Sequence, residues 1–284
     1  MSKDIPIKKI TTSCLRKMKE RGEKISMLTA YDATFARLLD NGGVDIVLVG
    51  DSLGMVVQGH TNTIPVTIGD IVYHSRCVAR GLERAHIMAD MPFMSYQASA
   101  ESALKNAGRC LKDGRAESVK VEGGLELVDT VKALTLAGIP VCAHIGLRPQ
   151  TIHQMGGYKI QGKTHSSAER LVEEALRFED AGAFMLLLEG MIAEVAEEIT
   201  DKVTIPTVGI GSGAGCDGQV LVIYDLLGMD NEFSPKFVKR YADLGDTITG
   251  AVQTYIKEVR SGRFPAEKHA FRRELKVVKN AINK

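Results

Sequence analysis

The sequence predicts an α/β chain folded as a (β/α)8 TIM barrel. Short runs rich in Val, Ile and Leu recur between longer segments of helical periodicity, the pattern of repeated βα units around a parallel sheet. Eight such runs can be counted, the number that closes a barrel. The length of 284 residues suits one barrel, being long for a small module and short for two ordinary domains.

In chain order the strands are expected at 26–30, 45–50, 86–90, 118–121, 141–145, 184–188, 207–210 and 219–223. Between them the apolar spacing predicts helices at 33–40, 68–84, 99–112, 125–136, 167–180 and 193–201, with a last helix over 235–260. Several of these segments run into NGG, AGI or AGA, where a glycine can adopt the left-handed conformation that ends a helix before the next strand. Two connections stand apart, 56–65 and 146–165, both rich in Gly, Gln, His and Thr. Long strand-to-helix loops are where barrels build active sites. No repeat, low-complexity tract or linker argues for a second domain. Residues 1–284 are therefore read as one barrel domain with a core of about 5–270 and a basic tail, 271–284, read as a solvated helix.

Composition narrows the function. Apolar residues make up 44% and charged residues 25%, ordinary for a globular chain that buries a sizeable core. The net charge is +1, and Lys and Arg are scattered, which leaves no electrostatic footprint for nucleic acid or an acidic membrane and favours small-molecule substrates. Five cysteines, odd in number and without a CxxC pair, read as reduced structural thiols. The N-terminal MSKDIPIKKI has no apolar signal region and no run is long enough to span a bilayer, so a cytoplasmic location is expected.

Side chains at the C-terminal ends of barrel strands share one bowl. The second strand ends in Asp51 and Ser52, the third in Asp90, the fourth in Lys120 and Glu122, and the sixth in Glu189. Taken singly each has an ordinary explanation: Asp51 or Asp90 as a cap or turn former, Lys120 snorkelling, Glu122 in a surface turn, Glu189 capping the next helix. Together they would require independent accidents at four strand ends. Four carboxylates at one mouth repel one another unless a cation lies among them, and an all-oxygen donor set favours Mg2+ over Zn2+. Lys120 and Glu122, two apart on a strand, face the same side. His144, at the end of the fifth strand, either supports this bowl or is a satisfied structural histidine. VGIGSGAGCDG (208–218) lacks the ending of a phosphate-binding loop and precedes no clear helix, so it reads as a tight glycine turn.

Nine strings, TAYD (29–32), VLVGDSLGMVVQGH (47–60), PVTIGDIVYH (65–74), ADMPFMSY (89–96), VKVEGG (119–124), AHIGLRPQ (143–150), GGYKIQGKT (156–164), TVGIGSGAGCDGQVLV (207–222) and PKFVKRYADLG (235–245), closely resemble the 3-methyl-2-oxobutanoate hydroxymethyltransferase family. The resemblance runs from about residue 5 to about 270, with the motifs in order. It implies a barrel of the phosphoenolpyruvate/pyruvate type and transfer of a hydroxymethyl group from 5,10-methylenetetrahydrofolate to 3-methyl-2-oxobutanoate through a Mg2+-stabilised enolate. It further implies Mg2+ held by Asp51, Asp90 and Glu122, substrate contacts from Asp51, Ser52, Asp90 and Lys120, Glu189 as the proton acceptor, and a homodecamer. One departure is the sequence after Glu189, GMIAE, where the family pattern has Cys or Ala and then Val-Pro. Two other readings are a metal-dependent carbon–carbon lyase of the same barrel type and a non-catalytic metabolite-binding barrel. Such lyases usually carry a cysteine in an active-site loop, and no cysteine here stands in such a loop beside the strand-end acids.

Overall fold

A computed structural model describes residues 8–230 and 235–273. Helix α1 (Thr12–Glu20) precedes strand β1 (Ile25–Thr29), and then follow α2 (Ala33–Asn41), β2 (Ile46–Val49), α3 (Leu53–Val56), α4 (Ile68–Ala79), β3 (His86–Asp90), α5 (Ala100–Lys112) and β4 (Ser118–Glu122). The second half contains α6 (Val128–Leu136), β5 (Val141–Gly146), α7 (Ile152–Met155), α8 (His165–Asp180), β6 (Met185–Glu189), α9 (Ala193–Lys202), β7 (Thr207–Ile210), β8 (Gly218–Leu221), α10 (Ile223–Leu226) and α11 (Leu244–Arg260). The strands close in sequence order into one barrel, every pair parallel, with β8 returning to β1.

Alternation along each strand sorts the side chains. Ile46, Leu48, Met88, Cys142, Met185 and Leu187 form an inner cluster, while Val47, Val49, Ile87, Val119, Val121, Ala143 and Leu186 pack in the clusters of the surrounding helix layer. The inward parity that carries Met88 carries Asp90 two residues on, and the parity of Cys142 carries His144. Leu15 of α1, fully buried, joins the inner cluster beside Ile25 and Ile10. The sequence reading missed α1 because its nine largely polar residues carry one buried apolar side chain; tertiary contact on Leu15 supplies the stability that propensity does not.

Other departures have local causes. Helix α4 stops at Ala79, short of the expected 84, because the Asp40 carboxylate accepts the backbone N–H groups of Glu83 (2.9 Å), Arg84 (3.1 Å) and Ala85 (2.7 Å). The last helix begins at Leu244 rather than 235: the N–H groups of Tyr241, Leu244 and Gly245 bond to the carbonyls of Leu226, Leu227 and Gly228, which removes them from a continuous helix. β8 ends at Leu221, and Ile223 opens α10 with its N–H on Thr29 Oγ1 at 3.0 Å. Residues 5–7 and 231–234 of the expected core and 274–284 of the tail lie outside the described residues.

Burial alone would raise the Asp40 carboxyl, but the three N–H donors together hold it below the ordinary carboxylate value. A depressed folded-state pKa contributes stability that is present above the unfolded value and lost as pH falls through the folded one. Asp40→Asn is therefore expected to melt below wild type at neutral pH, with the gap narrowing at acid pH. Melting curves across pH check this, and a gap independent of pH would contradict it.

No helix among the described residues is long and apolar enough to cross a membrane. α11 buries none of its residues, and Ile248, Val252, Tyr255, Ile256 and Val259 along it are exposed.

Candidate active site

Strand register assembles the centre of the mouth. Asp90 on β3 is the register partner of Lys120 on β4, Glu122 is the partner of His144 on β5, and Gly146 is the partner of Glu189 on β6. Because Lys120 and Glu122 share a face, Asp90, Lys120, Glu122 and His144 meet as one group, each no more than 4% exposed. Lys120 Nζ lies 2.6 Å from Asp90 Oδ1, 3.8 Å from Glu122 Oε2 and 3.4 Å from His144 Nδ1. Asp51, beyond the end of β2, joins them through its backbone N–H, which donates to Asp90 Oδ2 at 3.1 Å.

Charge in so dry a place shifts every group. Burial, and then the neighbouring Asp90, push the Asp51 carboxyl well above the ordinary range, and burial raises Asp90 as well. Burial would discharge Lys120, but Asp90, Glu122 and Asp51 more than offset it and hold the ammonium charged. Glu122 is held low despite burial by hydrogen bonding and charge from His144, with Lys120 and the Gln150 N–H adding to it. His144 stands between two carboxylates, Nδ1 at 3.2 Å from Glu122 Oε2 and Nε2 at 3.3 Å from Glu189 Oε2. Burial and Lys120 pull its pKa down, yet the two carboxylates lift it to about 9.

The sequence-predicted residues Asp51, Asp90, Lys120, Glu122 and Glu189 thus form one linked set, Glu189 joining through His144. Ser52 is half-buried at its edge, its Oγ 2.8 Å from Tyr31 Oη, which itself donates to Thr29 Oγ1. The glycine-rich 208–218 segment turns tightly, with Gly211 and Gly213 at positive φ, and its Ser212 hydroxyl donates to the Leu188 carbonyl at the base of the β6 loop.

Two residues emerge that strand-end reasoning passed over. Gln150, 2% exposed, donates from Nε2 to Asp51 Oδ2 and to the Met91 carbonyl, both at 2.9 Å, and its backbone N–H donates to Glu122 Oε1 at 2.6 Å. Tyr96 Oη, fully buried, accepts the Glu122 N–H at 3.1 Å and lies 2.7 Å from Gln150 Oε1 and 2.9 Å from the Glu122 carbonyl. Their strings, ADMPFMSY and AHIGLRPQ, were legible as motifs, but nothing in spacing places a loop glutamine against a carboxylate 99 positions earlier.

Among the described residues no three Asp, Glu, His or Cys side chains stand together as a ready ion-binding group. The Lys120 ammonium stands between Asp90 and Glu122, and Gln150 holds one oxygen each of Asp51 and Glu122. The donor chemistry still suits a hard cation. All the candidate donors are oxygens, and Asp90 Oδ1, though beside Lys120, is buried without a well-aligned hydrogen-bond donor.

The loop after β5 lies against the sixth strand end. Gln161 donates its N–H to the Gly190 carbonyl at 2.8 Å and accepts that of Ile192 at 3.0 Å, forming a short parallel bridge to Met191. Gly146 makes the approach possible: its φ is +97°, and a Cβ there would fall 2.3 Å from the Glu189 carbonyl oxygen. Gly146→Ala is expected to destabilise the fold by about 1–3 kcal/mol and to lower turnover by displacing Glu189. Melting and steady-state rates check this, and wild-type values for both would contradict it.

A family model for ketopantoate hydroxymethyltransferase matches residues 9–267. The chain belongs to this family. It is 55% identical over 264 residues to the 3-methyl-2-oxobutanoate hydroxymethyltransferase of Syntrophus aciditrophicus (strain SB), covering 93% of this chain and 97% of that relative. It is 53% identical over 264 residues to the protein of the same name from Pelobacter propionicus (strain DSM 2379 / NBRC 103807 / OttBd1), covering 93% and 98%. Among solved structures, 2,3-dimethylmalate lyase, a PEP mutase/isocitrate lyase superfamily member, superposes with a TM-score of 0.58 at 17% identity over 92% of this chain and 91% of that one. That likeness shows a shared fold. The closed parallel barrel is the fold that the sequence predicts.

Proposed function

We propose that the chain transfers a hydroxymethyl group from 5,10-methylenetetrahydrofolate, with uptake of water, to 3-methyl-2-oxobutanoate, giving 2-dehydropantoate for pantothenate biosynthesis. The observation that carries this reading is the buried union of Asp51, Asp90, Lys120 and Glu122 with Glu189 tied on through His144. Asp51, Asp90 and Glu122 would hold Mg2+, which when bound supplies Lewis-acid polarisation of a 2-oxo acid.

The chain's own residues do the rest. Negative charge grows on the 2-oxo oxygen as the C3 proton leaves, and the Lys120 ammonium, kept charged by three carboxylates, adds a hydrogen bond and a fixed positive charge beside it. Ser52, braced by Tyr31, orients the substrate together with Asp51 and Asp90. Glu189 accepts the proton on a carboxylate oxygen, with His144 Nε2 beside its Oε2 fixing its orientation. Burial of the whole group keeps bulk water from weakening these interactions.

The same reading takes 1–284 as one barrel domain that acts on small molecules in the cytoplasm and assembles as a homodecamer. Five cysteines free of disulfides support a reducing compartment, and the uncovered apolar residues of α11 support assembly. Incubating the purified chain with both substrates and Mg2+ is expected to yield 2-dehydropantoate, with no product when either substrate is left out or a chelator is added. Failure to form product under complete conditions would overturn the reading.

A further inference from the structure

We propose that Gln150, locked by Tyr96, is a positioning residue that holds the Asp51 and Glu122 carboxylates ready for the divalent cation. The inference rests on the function proposed above and deepens it. A glutamine side chain has two N–H donors and an oxygen with two acceptor sites. All four are used here: Nε2 donates to Asp51 Oδ2 and the Met91 carbonyl, and Oε1 accepts from Tyr96 Oη at 2.7 Å and Gln97 Nε2 at 3.2 Å.

The amide can sit only one way round. Nε2 faces the Met91 carbonyl, which can only accept, so the reversed amide would set oxygen against oxygen in a buried site. From the loop after β5 a single residue thus reaches the ends of β2, β3 and β4, touching Asp51, Met91 and, through its own N–H, Glu122.

Tyr96 closes the arrangement. It accepts the Glu122 N–H, and its one proton lies between the Glu122 carbonyl and Gln150 Oε1. Neither Gln150 nor Tyr96 belongs to the set expected to touch substrate or ion. Their contacts instead fix the rotation of both carboxylates, by engaging Asp51 Oδ2 and Glu122 Oε1 while Glu122 Oε2 faces His144 and Lys120. A glutamine that only filled space would fix neither, and an apolar side chain of equal length would replace it.

The test is Mn2+ binding, followed by electron paramagnetic resonance, to chelator-treated wild type, Gln150→Met, Tyr96→Phe and the double variant, each first shown to be folded by its melting curve. Gln150→Met keeps the side-chain volume but loses the amide, and should bind Mn2+ about 10–100-fold more weakly than wild type, as loss of a group supporting metal ligands typically does. Tyr96→Phe should weaken binding less, and the double variant should be no worse than Gln150→Met alone, because the two side chains act as one unit. A folded Gln150→Met that binds Mn2+ as wild type does would overturn the inference. Should Gln150→Met not fold, wild-type affinity in Tyr96→Phe would overturn it equally. Wild type that binds no Mn2+ at all would remove the reading on which the inference rests, and the inference with it.

Discussion

Asp90→Ala is expected to lose divalent-cation binding and turnover together, with turnover falling by about 10³-fold or more. A Lewis-acid cation contributes several kcal/mol to such chemistry, and each ~1.4 kcal/mol is a decade in rate. Asp90 also has structural duties: it neutralises Lys120 at 2.6 Å and accepts the Asp51 N–H. Both side chains of the ion pair are almost wholly buried, and breaking such a pair from one side typically costs about 3–5 kcal/mol because the remaining charge is stranded. The variant should therefore melt earlier as well, so rates must be read below its transition. Two measurements check the prediction, titration of Mn2+ binding and the rate as a function of added Mg2+. A folded Asp90→Ala enzyme with unchanged Mg2+ dependence would put the ion elsewhere.

The second large effect is expected at Glu189. Glu189→Gln keeps the volume of the side chain and removes its capacity to accept a proton, so turnover should fall by about 10²–10⁴-fold, the usual contribution of a positioned acid–base group. The KM for 3-methyl-2-oxobutanoate should change little, since the residues assigned to hold the substrate lie on β3 and β4 and just beyond β2. Stability should also change little, because Glu189 is the most exposed carboxylate of the set and its neighbour is His144 at 3.3 Å. Steady-state kinetics separates the two parameters. An unchanged rate would remove Glu189 from proton transfer, whereas a raised KM at constant turnover would make it a binding residue.

Much of this site is legible in the sequence because barrel geometry is so restrictive. Once strands are assigned, side-chain parity and parallel register leave little freedom, and Asp90, Lys120, Glu122 and Glu189 stand at the ends of β3, β4 and β6. Two of the eight strands, β3 and β7, have the expected bounds, and the other six shift by one or two residues at one or both ends.

What the sequence hides is set by tertiary hydrogen bonds. Asp40 stops α4 by accepting N–H groups more than 40 positions away, which no helix propensity encodes. Helix α1 exists because Leu15 reaches the inner core. Gln150 and Tyr96 look like ordinary loop residues until the fold brings their strings against Asp51 and Glu122. His144 could be read as structural or functional from its position alone, and the register with Glu122 together with the approach of Glu189 places it among the strand-end carboxylates. The departure after Glu189, GMIAE, does not displace that residue: it remains at the end of β6, with the loop held by Ser212 and by the bridge to Gln161.

Proton NMR of 3-methyl-2-oxobutanoate in D2O, with purified protein and Mg2+, tests the central claim most directly. Loss of the C3 proton signal that requires the protein, stops on addition of a chelator and is slowed in Glu189→Gln is the expected result. Retention of that proton by a folded, cation-binding protein would contradict the account, because proton removal at C3 is the step that the whole buried carboxylate and lysine group is proposed to serve.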